Sequence, residues 1–485
     1  MTVITWEDLR ALLLKNYPDN DLHDVARAYE FAKQAHSGQK RKTGEDYIHH
    51  SLATAYNLAL LHMDLPTIIA GILHDVPEDT TFSLTEVRKE FGNEVATLVG
   101  GITKLGTLKY RGIERYAENL RKMFVAMAQD LRIIIIKLAD RLHNVQSLDT
   151  HRPDKALRIA KETMEIYAPI ANRLGMFELK SQLEDYSFPY VYPQEYAWVQ
   201  SLVQDRLKSD RKYIDRVQKI LYRELVKQHI PIVEIHGRVK HLFSLYKKLL
   251  AHGKDINKVY DLVAIRIIVP TVADCYSVLG VIHGRWTPLK GRVKDYIAQP
   301  KPNGYQSLHT SVFTDSGKVV EFQIRDHMMH EIAEYGIAAH SKYKEAKHQF
   351  YSKKSLQWIT ELINWQRTIK DNLQYVKEIK NDIFQDRIFV FTPDGDVIDL
   401  PEDATPIDFA YHIHSELGAH TTGVLINQQI SSLDHALKSG DVIEIIKDKN
   451  RKRPSEDWLK IARTATAREK IRNQLRRNHP SKIWN

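Results

Sequence analysis

The spacing of apolar residues divides the chain into an N-terminal helical part and a mixed part that follows it. Up to about residue 195, apolar side chains recur every three or four residues, which is the pattern of helices that bury one face. The segment 188–193 contains two prolines among aromatic residues and predicts a boundary. The clearest predicted helices are Leu22–Ser37, Ser51–Met63, Glu114–Ala128 and Lys155–Asn172.

Strand-like alternation begins after a further charged helix, predicted at 200–229. Short runs of β-branched and polar residues alternate there, as in strands with two different faces. A helical linker is predicted at about 328–380, with Trp358 and Trp365 on one face. The predicted strands of this middle part are Ile230–Ile235, Val259–Val269, Ser311–Asp315 and Val319–Ile324.

Residues 386–447 predict a compact module in which turn signals separate strands from one helix. The helix is predicted to run from Pro406 to Leu417. The strands are predicted at Arg387–Phe391 and Val397–Leu400, near Val424, and at Val442–Ile446.

Length and composition indicate a globular protein of about three domains, because the chain has 485 residues, of which 43% are apolar and 27% charged. The single cysteine, Cys275, excludes an intrachain disulfide and a cysteine zinc cluster, and it favours a reducing compartment. The N-terminus lacks the basic region and apolar core of a signal peptide, and no apolar run approaches the ~20 residues of a membrane helix. We therefore expect a cytoplasmic protein.

The positive charge is concentrated at the C-terminal end. The formal net charge is +9, and residues 447–485 contain thirteen Lys and Arg against four Asp and Glu, so the rest of the chain is formally neutral. Such a segment suits a polyanion such as RNA. From charge alone, a solvated and partly frayed helix is the better explanation.

Two histidines and two aspartates on separate predicted helices form the first candidate site. His50 begins one helix, His74 and Asp75 lie near the end of another, and Asp140 lies on a third. If the helices pack together, these imidazoles and carboxylates suit a divalent ion of the Mn, Fe or Zn kind. A histidine of this sort, taken singly, is more often an ordinary core or surface residue, so the prediction depends on the whole set.

Two further carboxylates, Glu78 and Asp79, follow the His-Asp pair directly. Next to a metal they could orient and deprotonate a water molecule for attack on phosphorus. Because proline disrupts a helix interior, we expect the helix to end or kink at Pro77 and to release both carboxylates into a loop. The pattern favours a hydrolase.

A second candidate site is predicted on the strands. Alternation places Asp261 on one face of its strand, and it places Glu321, Gln323 and Arg325 together on a polar face of another. A face of this kind cannot be core without partners, because an unpaired buried charge is costly. If it borders a cleft beside Asp261, the two carboxylates could hold Mg²⁺ against a triphosphate.

Basic side chains that could neutralise phosphates occur in two clusters near these strands. They are Arg238, Lys240 and Lys248, and Arg292 and Lys294. Tyr305, on a loop between two of the strands, is a plausible stacking surface for a purine. A solvent-facing polar strand with surface lysines explains the same pattern equally well.

Together these runs closely resemble the long RelA/SpoT homologues, the (p)ppGpp synthetase/hydrolases of the bacterial stringent response. The resemblance covers almost the whole chain, and its motifs are highly specific in combination. The matching runs are Arg41–Glu45, His74–Thr80, Lys137–Asn144, Tyr260–Arg266, Gly291–Ala298, Gly304–His309 and Glu321–Arg325.

For the helical part, the resemblance implies an all-helical HD-type phosphohydrolase domain that binds Mn²⁺. Its metal ligands would be His50, His74, Asp75 and Asp140. Its water-activating residues would be Glu78 and Asp79, and its nucleotide contacts Arg41, Lys42 and Asn144. The reaction implied is removal of the 3′-pyrophosphate from (p)ppGpp.

For the middle part, the resemblance implies a nucleotidyltransferase-like synthetase domain with a mixed sheet, which transfers pyrophosphate from ATP to the 3′-hydroxyl of GDP or GTP. Asp261 and Glu321 would be catalytic and bind Mg²⁺. The nucleotide-binding residues would be Arg238, Lys240, Lys248, Arg292, Lys294, Tyr305, His309 and Gln323. The basic run Arg292–Asp295 resembles that of enzymes with both activities, so we expect a bifunctional enzyme.

The module at 386–447 resembles a TGS domain, a small ubiquitin-like unit that in ribosome-bound relatives touches deacylated tRNA. His412 and His414 are the candidate tRNA contacts, although a packing or surface role explains either one as well. Long relatives continue into further C-terminal domains, so this chain is either a C-terminally truncated form or a naturally short protein. We expect truncation, with weakened ribosome binding.

The predicted fold class is therefore multidomain, α and α+β. The predicted domains are 1–195 (hydrolase), 196–345 (synthetase), 346–385 (helical linker), 386–447 (TGS) and 448–485 (basic segment). Two alternatives stay open. One is a hydrolase-dominant enzyme whose synthetase domain is regulatory, and the other is a non-enzymatic RNA- or ribosome-binding adaptor.

Overall fold

The computed structural model describes residues 3–106, 113–259, 262–301, 304–341, 387–448, 450–451 and 453–477. The chain forms two compact units, one of Met1–Lys109 with Asn119–Ile363 and one of Tyr110–Glu118 with Asn364–Asn485. Asp261 and most of the predicted helical linker, including Trp358 and Trp365, lie outside the described residues. Among the helices that are described, none has the length and apolar character needed to cross a membrane.

The N-terminal part of the chain consists of helices, as predicted. Its helices are α1 (Trp6–Asn16), α2 (His23–Ala35), α3 (Ile48–Leu60), α4 (Leu65–Leu73), α5 (Val76–Asp79), α6 (Leu84–Gly106), α7 (Ile113–Gln129), α8 (Leu131–Gln146), α9 (Pro153–Glu162), α10 (Ala168–Arg173), α11 (Phe177–Val191) and α12 (Pro193–Lys227). A π-helical stretch, Thr163–Tyr167, joins α9 to α10.

Capping and close packing determine where these helices begin and meet. The Asp64 side chain caps α4 by accepting a hydrogen bond from the amide of Thr67. Helices α3 and α4 approach closely at Gly71, where a Cβ would overlap the Leu58 side chain. All four consecutive isoleucines Ile133–Ile136 of α8 are buried, so this helix is surrounded by others and forms the centre of the bundle.

The predicted boundary at 188–193 is shorter in the structure. Helix α11 continues through Pro189, and the chain leaves helical geometry only at Tyr192, before α12 begins. The fully buried Phe188 packs against the rings of Tyr192 and Phe243. This aromatic packing stabilises a helical turn that proline alone would disfavour.

A mixed sheet follows, with strand order β1-β2-β6-β5-β3 and with β4 paired to β5. Strands β2 and β6 are parallel, and the other pairs are antiparallel. The elements are β1 (Glu234–Val239), α13 (Leu242–Ala251), β2 (Val263–Val269), α14 (Val272–Arg285), β3 (Thr287–Pro288), β4 (Lys294–Asp295), β5 (Leu308–Phe313), β6 (Val319–Asp326) and α15 (His327–Tyr335). Three of the four predicted strands of this part are present with shifted ends.

The strand predicted at 230–235 is wrong in position. After α12 the chain turns at His229, whose φ is 56°, and the Ile230 amide bonds back to the end of the helix. Ile230 and Ile232 pack against the core of the sheet without pairing in a strand, so their apolar character reflects burial. Pairing with β2 in strand β1 begins at Glu234.

One face of the sheet is the hydrophobic core, and the opposite face is polar. The core face includes Ile265 and Ile267 of β2 with Phe322 and Ile324 of β6, covered by α12 and α14. Because side chains alternate along a strand, the residues between them point to the other side. The predicted alternation of β6 is therefore confirmed.

The second unit contains the predicted module, with sheets β10-β9-β11 and β7-β8. Its elements are β7 (Arg387–Phe391), β8 (Val397–Pro401), α16 (Pro406–Ile413), α17 (Ser415–His420), β9 (Thr421–Ile426), β10 (Gln429–Ser431), β11 (Ile443–Lys447), α18 (Trp458–Ile461) and α19 (Ala465–Arg477). The helix predicted from Pro406 to Leu417 is interrupted at His414, which adopts an extended conformation.

The basic segment packs against this module. Ile407 and Tyr411 of α16 share a hydrophobic core with Trp458 and Ile471 of the segment. The Tyr411 hydroxyl donates a hydrogen bond to Gln474 Oε1 at 2.7 Å. The expectation of a solvated, partly frayed helix is therefore wrong for α18 and α19, because their apolar residues have a buried partner.

Asp408 joins α16 to the basic segment through a carboxylate that is only 1% exposed. It accepts hydrogen bonds from the amide and hydroxyl of Thr405 and from the amides of Arg463 and Thr464. One buried side chain therefore caps α16 and anchors the loop before α19.

We expect Asp408→Ala to lower the free energy of unfolding of the second unit by about 2–4 kcal/mol, because it leaves several buried N–H groups unpaired. Glu444→Ala, at an exposed position of β11, is the control and should change stability by less than about 0.5 kcal/mol. Denaturant unfolding, with hydrogen exchange of α16 and α19, measures the difference. Equal stability and protection in the two variants would contradict the prediction.

Candidate active sites

Three helices bring the predicted metal ligands together. His50 lies in the first turn of α3, His74 directly follows α4, and Asp140 lies on α8. One ligand atom from each of these buried residues lies within 4.8 Å of the others. Asp75 Oδ2 lies 3.1 Å from His74 Nε2 and 3.3 Å from His50 Nε2. The four residues predicted from the sequence are therefore neighbours.

The surroundings of His74 fit a divalent cation. Its Nδ1 donates to the carbonyl oxygen of Gly71 at 2.8 Å, so its buried Nε2 faces the two carboxylates, 3.1 Å from Asp75 Oδ2 and 3.9 Å from Asp140 Oδ1. Burial alone would lower the pKa of His74, but Asp75 and Asp140 raise that pKa to about 9. Positive charge is therefore favoured at this nitrogen, and a divalent ion would meet the same electrostatic requirement.

Asp140 is held in its ionised form by two neighbours on its own helix. Lys137 Nζ lies 2.7 Å from Asp140 Oδ2, and Asn144 Nδ2 donates to Asp140 Oδ1 at 2.6 Å. Burial opposes ionisation, but Lys137 and the two histidines of the cluster hold the pKa of Asp140 well below its usual range. The carboxylate is therefore available as a ligand at neutral pH.

Glu78 and Asp79 lie in a one-turn helix. Helix α4 ends at Leu73, and Pro77 lies in the first turn of α5, where a missing N–H breaks no helical hydrogen bond. The expectation that Pro77 releases the two carboxylates into a loop is therefore wrong.

Tyr47 distinguishes these two carboxylates. Its hydroxyl lies 2.7 Å from Asp75 Oδ2 and 2.9 Å from Asp79 Oδ2, so Asp79 is tied to the ligand cluster. The carboxylate of Glu78 is exposed and has no hydrogen-bond partner within the described ranges. Partial desolvation, together with the charge of Asp75, raises the pKa of Glu78. An exposed carboxylate with a raised pKa is suited to accept a proton.

His143, which the sequence analysis missed, connects the ligands to Arg41. Its Nδ1 lies 2.8 Å from His50 Nδ1 and 2.9 Å from Arg41 Nη1. Arg41 Nη2 also donates to Asn144 Oδ1 at 2.8 Å. Burial and the charges of His50 and Arg41 lower the pKa of His143 to about 3. The spacing of three residues from Asp140 on one helix was the available signal.

A basic pocket of about 210 Å³ adjoins this cluster. Burial and the neighbouring charges of Lys42, Arg158 and Arg41 lower the pKa of Lys155, which reflects crowding of cationic side chains. A multiply charged anion would relieve that repulsion. The pocket is lined by Lys40, Arg41, Lys42, Thr43, Tyr47, Ser147, Thr150, His151 and Lys155.

Adjacent strands bring predicted synthetase residues onto the polar face of the sheet. Arg238 of β1 is paired with Ala264 of β2, which is paired in turn with Glu321 of β6. In the next row His309 is paired with Gln323, whose Nε2 donates to Glu321 Oε1 at 3.0 Å. These side chains therefore lie on the same face of the sheet, across the neighbouring strands β1, β2, β6 and β5.

A chain of polar contacts crosses this face. Arg325 Nη2 donates to the Tyr305 hydroxyl at 3.1 Å, and that hydroxyl lies 2.8 Å from His309 Nε2. His309 Nδ1 lies 3.5 Å from Glu321 Oε1. Burial would raise the pKa of Tyr305, but Arg325, His309 and Lys301 together lower it to about 7. Arg325 is 1% exposed, so the alternative of a solvent-facing polar strand is wrong at this position.

The other predicted phosphate-binding residues surround the sheet more loosely. Lys240 directly follows β1 and Lys248 lies on α13, whereas Arg292 and Lys294 are exposed beside β5. The predicted partner of Glu321, Asp261, lies outside the described residues.

The two candidate tRNA-contact histidines have different surroundings. His412 is exposed on α16. His414 is also exposed, but its Nδ1 accepts the amide hydrogen of Glu416 at 3.3 Å and caps α17. A structural role therefore accounts for His414.

Family models match three parts of the chain. An HD domain matches residues 28–177, the region found in RelA / SpoT proteins matches 237–348, and a TGS domain matches 388–447. A guanosine-3′,5′-bis(diphosphate) 3′-pyrophosphohydrolase of Aquifex aeolicus is 47% identical over 97% of this chain and 67% of its own length. The chain belongs to the RelA/SpoT family.

Two other RelA/SpoT relatives carry different names. The bifunctional (p)ppGpp synthase/hydrolase SpoT of Escherichia coli is 40% identical over 97% of this chain and 67% of its own length. A GTP pyrophosphokinase of Myxococcus xanthus is 44% identical over 96% of this chain and 62% of its own length. This chain spans 55% to 67% of the length of the curated relatives it matches.

Among solved structures, a small alarmone synthetase of Bacillus subtilis bound to pppGpp is 24% identical to this RelA/SpoT chain. The match covers 36% of this chain and 95% of that one with a TM-score of 0.25, which is too low to support a functional argument.

We expect His74→Ala to abolish high-affinity binding of one divalent ion to the helical part, because the cluster loses a buried nitrogen aimed at two carboxylates. His49→Ala is the matched control, since His49 is the neighbouring residue on α3 and its Nδ1 contacts the Ile4 carbonyl, away from the cluster. Calorimetric titration of the whole chain with Mn²⁺ measures both. Unchanged Mn²⁺ binding in His74→Ala would show that the cluster is not a metal site.

Proposed function

We propose that this chain both makes and hydrolyses (p)ppGpp, at two separate sites. The observation that carries the proposal is that one chain holds a buried His-His-Asp cluster beside a basic pocket and, on a different fold, a polar sheet face with Glu321 and buried cations. The names of the relatives, which include both a pyrophosphokinase and a pyrophosphohydrolase, support it.

We assign Mn²⁺ to the first site, held by His50, His74, Asp75 and Asp140, because mixed imidazole and carboxylate donors suit this ion. When bound, the ion would polarise a phosphate oxygen and make water easier to deprotonate. The protein's own residues hold the substrate and move the proton.

In the proposed hydrolysis, water attacks the phosphorus bonded to the ribose 3′-oxygen, and that P–O bond breaks to release pyrophosphate. Glu78 takes a proton from the attacking water, because it is the carboxylate with a raised pKa. A proton from solvent restores the 3′-hydroxyl of the departing nucleotide. Asp79 has a positioning role, because Tyr47 holds it next to Asp75. Arg41 and Lys42 bind the guanine nucleotide in the basic pocket, with Lys155 and Asn144 nearby.

In the proposed synthesis, the 3′-oxygen of GDP or GTP attacks the β-phosphorus of ATP, the bond to the α-phosphate bridging oxygen breaks, and AMP leaves. Glu321 and Asp261 would hold Mg²⁺, and Glu321 would help to deprotonate the 3′-hydroxyl. Tyr305 and His309 would contact the guanosine substrate. We assign Arg238, Lys240 and Lys248 to the ATP phosphates. Further nucleotide contacts would be Arg292, Lys294 and Gln323.

Helix α11 connects the two sites. Its Asp185 accepts hydrogen bonds from the amides of Leu242 and Phe243 and so caps α13 of the sheet part. His241 Nδ1 lies 2.9 Å from the same carboxylate. A change in the helical part can therefore reach the loop that carries the proposed ATP contacts. We infer that nucleotide in one site disfavours activity in the other.

A specific observation favours a resting state in which hydrolysis dominates over synthesis, although both sites work. The ring of Phe177, at the start of α11, packs nearly perpendicular to the ring of Tyr305, and the two ring centroids are 5.5 Å apart. The cations of Lys301 and Arg325 lie 5.2 and 5.4 Å from the centroid of the same ring. These three groups crowd the Tyr305 ring, so a guanine base that stacked there would compete with them, which supports a resting state with low synthetase activity.

For the second unit we propose contact with deacylated tRNA on the ribosome. Arg468 and Lys470 donate to backbone carbonyls of the unit, so their charges are partly used within the protein. Arg472 and Arg476 are exposed on α19, and His412 is exposed on α16. These three side chains are the better candidates for RNA contact.

We expect Glu321→Gln to abolish (p)ppGpp formation and to leave hydrolysis within about twofold, because the two carboxylates serve separate chemistry. Glu78→Gln should do the reverse, lowering hydrolysis by about 10²-fold or more. Separation of guanine nucleotides by anion exchange, from ATP plus GDP or from ppGpp, measures both reactions. Loss of both activities in either variant would count against two separate sites.

We expect Phe177→Ala to raise the initial rate of AMP and ppGpp formation severalfold, because the Tyr305 ring loses a group that restrains it. Tyr186→Ala, at an exposed position of the same helix, is the control and should leave the rate unchanged. The assay uses ATP, GDP and Mg²⁺ without added ribosomes. A rate below that of the unmodified chain would show that Phe177 supports the synthetase site.

A further inference from the structure

Two donors converge on a single nitrogen next to the proposed metal site. His143 Nδ1 lies 2.8 Å from His50 Nδ1 and 2.9 Å from Arg41 Nη1. Arginine can only donate hydrogen bonds, so His143 Nδ1 is the acceptor in its contact with Arg41. His50 Nδ1 must then carry a hydrogen and donate to the same atom, because two bare nitrogens would repel each other at this distance.

An imidazole nitrogen has one lone pair, in the plane of its ring. Arg41 and His50 therefore compete for it, and neither hydrogen bond can reach full strength while both are present. A carbonyl oxygen, with two lone pairs, would not impose this competition.

The competition matters because of the position of the other His50 nitrogen. Nε2 lies 3.3 Å from both Asp75 and Asp140, so it is the nitrogen available to a metal ion. A metal-binding histidine becomes a better and more rigid ligand when its second nitrogen donates a strong hydrogen bond. In this structure the acceptor for that bond is shared with Arg41.

Arg41 also lines the basic pocket, together with Lys42 and Lys155. An anionic nucleotide there would attract the guanidinium away from His143. The lone pair of His143 would then be fully available to His50.

We propose that His143 is a positioning residue that couples the two halves of the hydrolase site. Nucleotide bound at Arg41 strengthens the His143–His50 hydrogen bond and so tightens metal binding at His50. By linkage, bound metal tightens nucleotide binding by the same factor. The proposal rests on the proposed hydrolase function and adds a coupling between its metal and its substrate.

A second route from Arg41 to the ligands runs through Asn144, which accepts from Arg41 Nη2 and donates to Asp140 Oδ1. The two routes differ in their dependence on His143. Combining an Arg41 substitution with a His143 substitution therefore separates them.

The experiment titrates the whole chain with Mn²⁺ alone and follows free Mn²⁺ by electron paramagnetic resonance. We expect Arg41→Met to bind Mn²⁺ about threefold to tenfold more tightly than Lys42→Met, since loss of a side chain that hydrogen-bonds to a metal ligand typically changes metal affinity by about 10- to 100-fold. Lys42→Met removes one positive charge from the same pocket and so corrects for electrostatics.

Two His143 variants give opposite results if the lone pair is the cause. His143→Leu should weaken Mn²⁺ binding by about tenfold or more and abolish the difference between the Arg41 and Lys42 backgrounds. His143→Asn offers an oxygen in place of Nδ1, so it should bind Mn²⁺ more tightly than the unmodified chain, and adding Arg41→Met should then gain no more than adding Lys42→Met. Saturating GDP, corrected for the Mn²⁺ that GDP itself binds, should tighten Mn²⁺ binding more in the unmodified chain than in His143→Leu, where only the charge of GDP acts.

The outcomes separate this inference from the proposed function. If Mn²⁺ binding does not depend on His74, the metal site itself is wrong, and the coupling falls with it. If binding depends on His74 but Arg41→Met and Lys42→Met have equal affinity, the site stands and the coupling through His143 is overturned. An Arg41 effect that persists in His143→Leu would assign the coupling to Asn144 and would also overturn the proposal.

Discussion

The burial of carboxylates and imidazoles where three helices meet is the constraint on which the first part of the molecule depends. His50, His74 and Asp140 are at most 3% exposed, and charged groups are stable at that depth only when partners surround them. The partners come from separate segments of the chain, so the helices must pack in one arrangement for the cluster to exist. The buried isoleucines of α8 and the close approach at Gly71 supply the hydrophobic contacts that hold that arrangement.

Much of this arrangement could be predicted from the order of residues. The spacing of apolar residues every three or four positions predicted the helices clearly. The set of His50, His74 and Asp140 is specific because unrelated helices seldom carry these residues in that order. Pro77 was misread because proline has opposite effects at a helix start and in a helix interior, and a single sequence does not distinguish the two positions. Tyr47 and His143 were missed for a different reason: their importance lies in contacts across the fold.

The sheet part shows the same limit. Alternation along β6 correctly separated Phe322 from Glu321, because each strand residue has only two possible sides. It could not predict that both sides would be largely enclosed, with Arg325 buried beneath Tyr305. It also failed for Ile230 and Ile232, where apolar residues serve the core from an irregular segment. Burial depends on neighbours distant in sequence, and local patterns carry no direct record of them.

The small module extends beyond the boundary of its family match, because the basic segment packs against it as part of the same hydrophobic core. The match to the TGS family stops at residue 447, but Tyr411 shares its hydrophobic core with Trp458 and Ile471, which lie beyond that point. A fragment cut at the family boundary would expose an aromatic side chain that is now fully buried. The unit that folds and the unit that is recognised in sequence comparisons are therefore different lengths of chain. Any exchange of this module between relatives would have to carry the basic helix with it.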